Sequence, residues 1–173
     1  MTSIINASTS SGLTITPDNS GNVLLQYNGV AAPAFHVYGN ANQGVTTNVA
    51  TKVQLNTKVY DTANAFDATT NYRFTPTVAG YYQFSAIVGC YSTATTLVGA
   101  AALLYKNGSV VFSTGTSTSA VLNSYQPISG LIYLNGTTDY VELWGSVTAS
   151  TGPLFASNGG LTLYLTGCLL RGA

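Results

Sequence analysis

The chain reads as an all-β protein, a two-sheet sandwich or a closed barrel, on three observations. Short runs of alternating apolar and polar residues recur at close intervals. Gly, Asn and Thr turns separate them, and no ten-residue window carries a helical apolar stripe. At 173 residues the chain is long enough for one domain with a full core.

The elements follow in order. Leu13-Thr14-Ile15-Thr16 alternates, Pro17 to Asn22 turns, and Val23 to Tyr27 runs back before Asn28-Gly29, a strong hairpin signal. A two-stranded piece is marginal alone. Residues 1–33 are therefore expected to form an attachment and trimerisation segment, with Leu13, Ile15, Val23, Leu25 and Tyr27 as its apolar anchor and Pro33 as its boundary. Residues 34–173 form the globular head. Its predicted strands are 34–38, 51–56, 72–75, 80–90, 97–106, 109–114, 119–134, 139–147 and 161–170, with Lys106-Asn107-Gly108-Ser109 as a hairpin turn.

Charged residues make up 6% of the chain against about 25% in ordinary domains, the formal net charge is zero and the mean hydropathy is +0.25. A monomer so poor in ions tends to self-associate, so a large apolar surface is expected to be covered by other copies or partners. Five scattered Lys and Arg form no basic stripe, which excludes nucleic acid as a partner. No segment approaches the ~20 apolar residues of a membrane span. Met1 to Asn6 lacks the basic region and apolar run of a signal peptide, so synthesis in a cytoplasm without export by that route is expected.

Chemistry is sparse. His36 is the only histidine, which rules out a Ser/His/Asp triad or a multi-histidine metal site within one chain. The carboxylates are Asp18, Asp61, Asp67, Asp139 and Glu142. Asp139 and Glu142 lie three apart on a predicted strand and face opposite ways, which excludes a glycosidase pair. Asp18 and Asp67 sit among turn residues, where Asp bonds its own backbone, and no dense acidic loop suits calcium. No enzyme activity, cofactor or metal is expected. On the 139–147 strand, Val141, Leu143 and Val147 share one parity, and Tyr140, Glu142 and Trp144 the other. If the aliphatic set faces the core, Tyr140 and Trp144 face outward beside a carboxylate. That arrangement suits a glycan or protein contact, and equally suits packing beneath the loop Gly152 to Phe155.

The stretch Arg73 to Phe84 carries most information. Phe74, five residues, Gly80, one residue, Tyr82, one residue and Phe84 follow a spacing shared by a known superfamily, with Asp61 and Phe66 at similar offsets before it. Leu104 to Gly108, Thr138 to Leu143 and the apolar ending Leu161 to Leu170 add further matches. Over Ala34 to Arg171 the chain thus resembles the globular head of complement subcomponent q and the tumour necrosis factor superfamily. Two departures stand out: the interval Phe66 to Phe74 is one residue longer than usual, and Leu55 replaces a commoner aromatic.

The resemblance implies an all-β jelly-roll sandwich, the last strand central in its sheet, that works as a homotrimer by contact and not by catalysis. It implies Tyr81, Gln83, Tyr125 and Tyr164 at the three-fold seam and Tyr82 and Phe84 in the core, the assignment of the two faces being open to exchange. It also implies that the strands of Cys90 and Cys168 run antiparallel with the cysteines toward opposite ends, so two buried free thiols are expected. The N-terminal unit is similar to the β-hairpin modules that precede terminal domains of bacteriophage fibre proteins. With the low charge and the Ser/Thr/Asn/Gly surface, this likeness implies a virion protein. The expected role is a trimeric capsid decoration or head fibre protein, partnered by capsid or tail subunits. The alternative is a receptor-binding tail fibre or adhesin that recognises host glycan or protein through the loops 40–48, 92–96 and 149–158.

Overall fold

The computed structural model describes residues 26–27 and 30–172. Leu13, Ile15, Val23 and Leu25 lie outside the described residues. Fifteen strands occur in order among those described: β1 Gln26–Tyr27, β2 Val30–Ala31, β3 Ala34–Tyr38, β4 Gln43–Gly44, β5 Thr51–Lys52, β6 Thr57–Asp61, β7 Phe66–Asp67, β8 Arg73–Phe74, β9 Gly80–Ser92, β10 Leu97–Lys106, β11 Ser109–Val121, β12 Asn123–Leu134, β13 Val141–Ala149, β14 Pro153–Phe155 and β15 Leu163–Gly172. β1 and β2 pair antiparallel, Tyr27 opposite Val30, on either side of the predicted Asn28-Gly29 turn.

The head is a jelly-roll sandwich of two antiparallel sheets. One sheet runs β6-β3-β15-β9-β12, with β14 and then β4 continuing from the end of β9. The other runs β11-β10-β13, with β8, β7 and β5 on the far side of β13. The last strand is central, between β3 and β9, as expected. Period-two alternation sets which side chains meet between the sheets. From β9, Tyr82, Phe84, Ala86, Val88 and Cys90 point inward; from β13, Val141, Leu143 and Val147 answer them, all at most 3% exposed.

One end of this core is aromatic. Phe35 stacks on Phe74 with ring centroids 4.4 Å apart and on Phe66 at 5.5 Å, and Tyr82 meets Phe74 edge-on at 5.4 Å. Gly167 lets the central strand cross directly above: a Cβ there would stand 2.7 Å from the Phe35 ring. At the other kind of close approach, Gly136 has φ +71° and a Cβ would lie 2.4 Å from the Ala79 amide nitrogen. Gly136→Ala is therefore expected to cost at least about 2 kcal/mol, because strained φ and a backbone clash add. A urea midpoint indistinguishable from the unaltered chain would contradict this.

Strand edges differ from the sequence expectation where packing is one-sided or absent. The 51–56 strand shrinks to Thr51–Lys52. β6 was not predicted: as an edge strand it leaves Lys58, Val59 and Tyr60 exposed, so no alternation marks it. β4, β7 and β14 are too short to signal themselves. β11 continues to Val121 through a Ser/Thr-rich run that its pairing with β10 holds extended, so β12 begins at Asn123 and not at 119. β13 begins at Val141, which leaves Asp139 in the preceding turn.

A candidate interaction face

The sheet β6-β3-β15-β9-β12 turns its second face outward. Pairing registers assemble that face row by row. Tyr81 lies between Tyr133 and Arg171, and the two tyrosine rings are 5.4 Å apart. Gln83 lies between Leu131 and Cys168, Ser85 between Ser129 and Thr166, and Ile87 between Pro127 and Tyr164, while Tyr125 stands beside Gly89. The four residues expected at a seam, Tyr81, Gln83, Tyr125 and Tyr164, thus share one face, and Tyr82 and Phe84 point away from it into the core. Large apolar side chains stay open to solvent here: Tyr81 is 45% exposed, Tyr125 51%, Leu131 46% and Leu170 66%. That is an unusual concentration of uncovered apolar surface.

The face is not flat. A hollow of about 330 Å³ lies among Ser85, Ile87, Pro127, Ser129 and Tyr164, and a second of about 290 Å³ among Tyr81, Leu131, Leu170 and Arg171. Around the β12 edge the apolar surface continues onto β11, with Val110, Val111 and Phe112 all exposed. Phe112 lies against Gly130, where a Cβ would fall 2.5 Å from its ring, so the two edge strands are packed together. β11 pairs with β10 on one side only and carries no charge and no proline along its thirteen residues. Such an edge is a template for association unless something covers it.

The opposite sheet bears the other candidates, and here the sequence expectation is corrected. Tyr140 and Trp144 do not form an outward pair beside a free carboxylate. Trp144 is half-buried, stacked on Tyr105 at 4.6 Å, and donates Nε1–H to Glu142 Oε2 at 3.0 Å. Glu142 is 4% exposed and bound by Lys52 at 2.6 Å, whose ammonium also stands 5.8 Å from the Trp144 ring centre. Tyr140 instead lies under the Arg73 guanidinium at 4.4 Å. Nor does the 152–155 loop cover Trp144; Phe155 turns into the core against Gly145 and Val88. Glu142 and the Trp144 indole N–H already have internal partners, which makes the cluster a brace across β5, β8, β10 and β13.

The other described carboxylates, Asp61, Asp67 and Asp139, serve turns, and Asp18 lies outside the described residues. Asp67 accepts from the backbone amides of Thr70, Thr69 and Asn71 at 2.9 to 3.1 Å, which holds its carboxyl far below the usual carboxylate range. Asp139 accepts from Lys106 at 2.8 Å and from Asn107 and the Asn135 amide, and the Lys106 hydrogen bond leads in lowering it. Burial raises Asp61, but Lys58 and the Phe66 and Ala65 amides outweigh that and hold it low. Asp139 and Glu142 are engaged by different lysines, Lys106 and Lys52. Among the described residues no group of three or more His, Cys, Asp or Glu could hold a metal.

Both cysteines are free, but only one is buried. Cys90 is enclosed, and desolvation pushes its thiol up to about 12. Cys168, expected to be buried, is exposed, because its parity places it on the outward face beside Gln83 and Ala34.

By sequence, no family profile and no curated protein matches the chain. By shape, solved structures do. The globular domain of zebrafish complement 1qA is 22% identical and aligns over 82% of this chain and 99% of its own, with a TM-score of 0.58. The Eiger tumour necrosis factor of S. frugiperda is 10% identical over 82% and 94%, with a TM-score of 0.60. Murine APRIL at pH 8.0 is 13% identical over 80% and 99%, with a TM-score of 0.59. The fold is therefore the jelly roll of the complement 1q and tumour necrosis factor kind, as the sequence implied.

Proposed function

We propose that the chain is a non-catalytic display head that works as a homotrimer, with the outward face of β6-β3-β15-β9-β12 buried between copies. The observation that carries this reading is that open apolar face, set on a chain with too few ions to keep it soluble alone. A closed ring of three needs two different, complementary patches. The β11–β12 edge with Val110, Val111 and Phe112 supplies one, and the hollowed sheet face supplies the other. Tyrosines suit such a seam because their rings bury while their hydroxyls find partners.

The finer reading is a bacteriophage virion role, a capsid decoration or head fibre protein held to the particle by residues 1–33. It is supported by the antiparallel pairing of β1 with β2 ahead of the head and by the ion-poor Ser/Thr/Asn/Gly composition. Electron microscopy of particles tests the placement: density on the capsid shell supports decoration, and density confined to the tail tip supports adhesion instead. The assembly itself is tested by sedimentation and thiol labelling at pH 8. The chain should sediment at three times 17.9 kDa with Cys168 protected from iodoacetamide, and Cys90 should react only on unfolding. A 17.9 kDa species with Cys168 fully alkylated would contradict the homotrimer.

A further inference from the structure

An asparagine followed by glycine is the step at which a side-chain amide is lost most readily, because glycine leaves the next backbone nitrogen unshielded. The chain carries this dipeptide at Asn28, Asn107, Asn135 and Asn158. Asn28 lies outside the described residues. The other three sit in turns that hold them very differently. Asn107 donates Nδ2–H to Asp139 at 2.7 Å and accepts the Tyr140 amide on its side-chain oxygen at 3.0 Å. The Asn135 side-chain oxygen accepts from the amides of Thr137, Thr138 and Asp139, each at 3.0 Å, while its Nδ2–H donates to Thr138 at 2.9 Å. Gly136 after it is buried against the Ala79 backbone. Both amides are pinned in the arrangement that closes their own turns.

Asn158 is placed otherwise. It and Gly159 are both exposed, in a turn that the Leu161 amide closes on the Asn158 backbone carbonyl at 3.0 Å. Gly159 has φ +54°, and a Cβ there would meet no described residue within 4 Å, so the step has room to rearrange. The residues on either side are anchored. Ser157 gives its amide to Asn42 Oδ1 at 2.9 Å and its hydroxyl to the Gly39 carbonyl, and Gly160 packs against the Tyr38 ring. Asn158 thus stands between two fixed points, where the pairing of β14 with β4 ties the 39–44 and 154–161 segments together.

We propose that Asn158 is a site of spontaneous deamidation, selected by the fold from among identical dipeptides. The Gly159 nitrogen, its proton taken by solvent base, bonds to Asn158 Cγ and closes a succinimide. The Cγ–Nδ2 bond breaks, and that nitrogen leaves as ammonia. Water then opens the ring. Added at Cγ, it leaves aspartate and the original backbone; added at the main-chain carbonyl, it leaves isoaspartate, with the chain routed through the side-chain methylene. No electrons are exchanged, and water is the only reagent. A chain with five acidic residues and a formal net charge of zero thereby gains a sixth carboxylate. The new charge falls at the junction of loops 40–48 and 149–158, which a receptor-binding head would use. The isoaspartyl form also lengthens the backbone between Ser157 and Gly160, and so strains their ties to Asn42, Gly39 and Tyr38.

Incubation of the full chain at pH 8, folded and, in parallel, unfolded in guanidinium chloride, tests it. Chymotryptic cleavage after Tyr105, Phe112, Tyr133, Tyr140, Phe155 and Tyr164 separates the three steps into peptides 106–112, 134–140 and 156–164, read by mass spectrometry against an unincubated control. In the folded chain the 156–164 peptide should convert about tenfold faster than the other two, or more, since each of those must first release at least two hydrogen bonds. In the unfolded chain all three should convert at similar rates. A folded chain in which Asn158 converts no faster than Asn107 or Asn135 overturns the proposal. So does a lead for Asn158 that persists undiminished after unfolding, which would place its cause in the local sequence and not in the fold.

Discussion

A chain carrying Tyr125→Glu and Ser129→Glu is expected to sediment as a folded 17.9 kDa monomer under conditions where the unaltered chain is a trimer. Both side chains are exposed on β12 in the isolated chain, so the substitutions should change folding stability by about 0.5 kcal/mol or less each. In the assembled state each new carboxylate would be carried out of water, at an effective cost of several kcal/mol unless a cation meets it. Few cations are available. Lys52, Lys58 and Lys106 are bound to carboxylates and Arg73 lies over Tyr140. Arg171 lines the other hollow, beside Tyr81 and Leu131, away from Ser129. With two substitutions in each of three copies, the penalty exceeds what an ordinary interface can absorb. Ser146→Glu on the opposite sheet serves as the control and should leave the trimer intact. A double variant that sediments with the unaltered chain would remove this face from the interface.

How much of this was legible in the sequence depends on which force fixed each element. β3 and β10 begin and end at their predicted residues because each alternates between a buried and an open face, and period two is the signal that alternation leaves. The Asn107-Gly108 hairpin was equally legible: both residues adopt positive φ, 51° and 78°, which their side chains permit. β6 was invisible because neither of its faces is buried, and the length of β11 was hidden because its register comes from β10 and not from its own residues. The resemblance implied the seam candidates, and the registers of β9, β12 and β15 put them on one face. The misplaced expectation at Trp144 has a different origin. Parity correctly sent Glu142 away from the aliphatic core, but Lys52, ninety residues away in the chain, neutralises it there. A partner so distant in sequence cannot be read from local pattern. Cys168 was expected to be buried as a free thiol, yet its strand turns it onto the open face.

The second large effect concerns the core that supports the face. Phe35→Ala is expected to destabilise the head by about 3 to 5 kcal/mol, with up to about 1 kcal/mol more from the lost ring contacts. Phe35 is fully buried beneath Gly167, and its ring touches Phe66, Phe74 and Phe84 together, at 5.5, 4.4 and 6.2 Å. Collapse into the gap is opposed on three sides, since Phe66, Phe74 and Phe84 belong to strands of both sheets. The loss is a large part of the roughly 5 to 15 kcal/mol that holds such a domain folded. It should appear as a lower denaturant midpoint with an unchanged slope. Because assembly binds only the folded chain, the midpoints of the variant and the unaltered chain should both rise with protein concentration, while Phe112→Ala, truncating a residue that is 38% exposed, should show a smaller folding deficit at low concentration. Equal deficits for Phe35→Ala and Phe112→Ala in the dissociated chain would mean that the aromatic end is not the anchor of the sandwich.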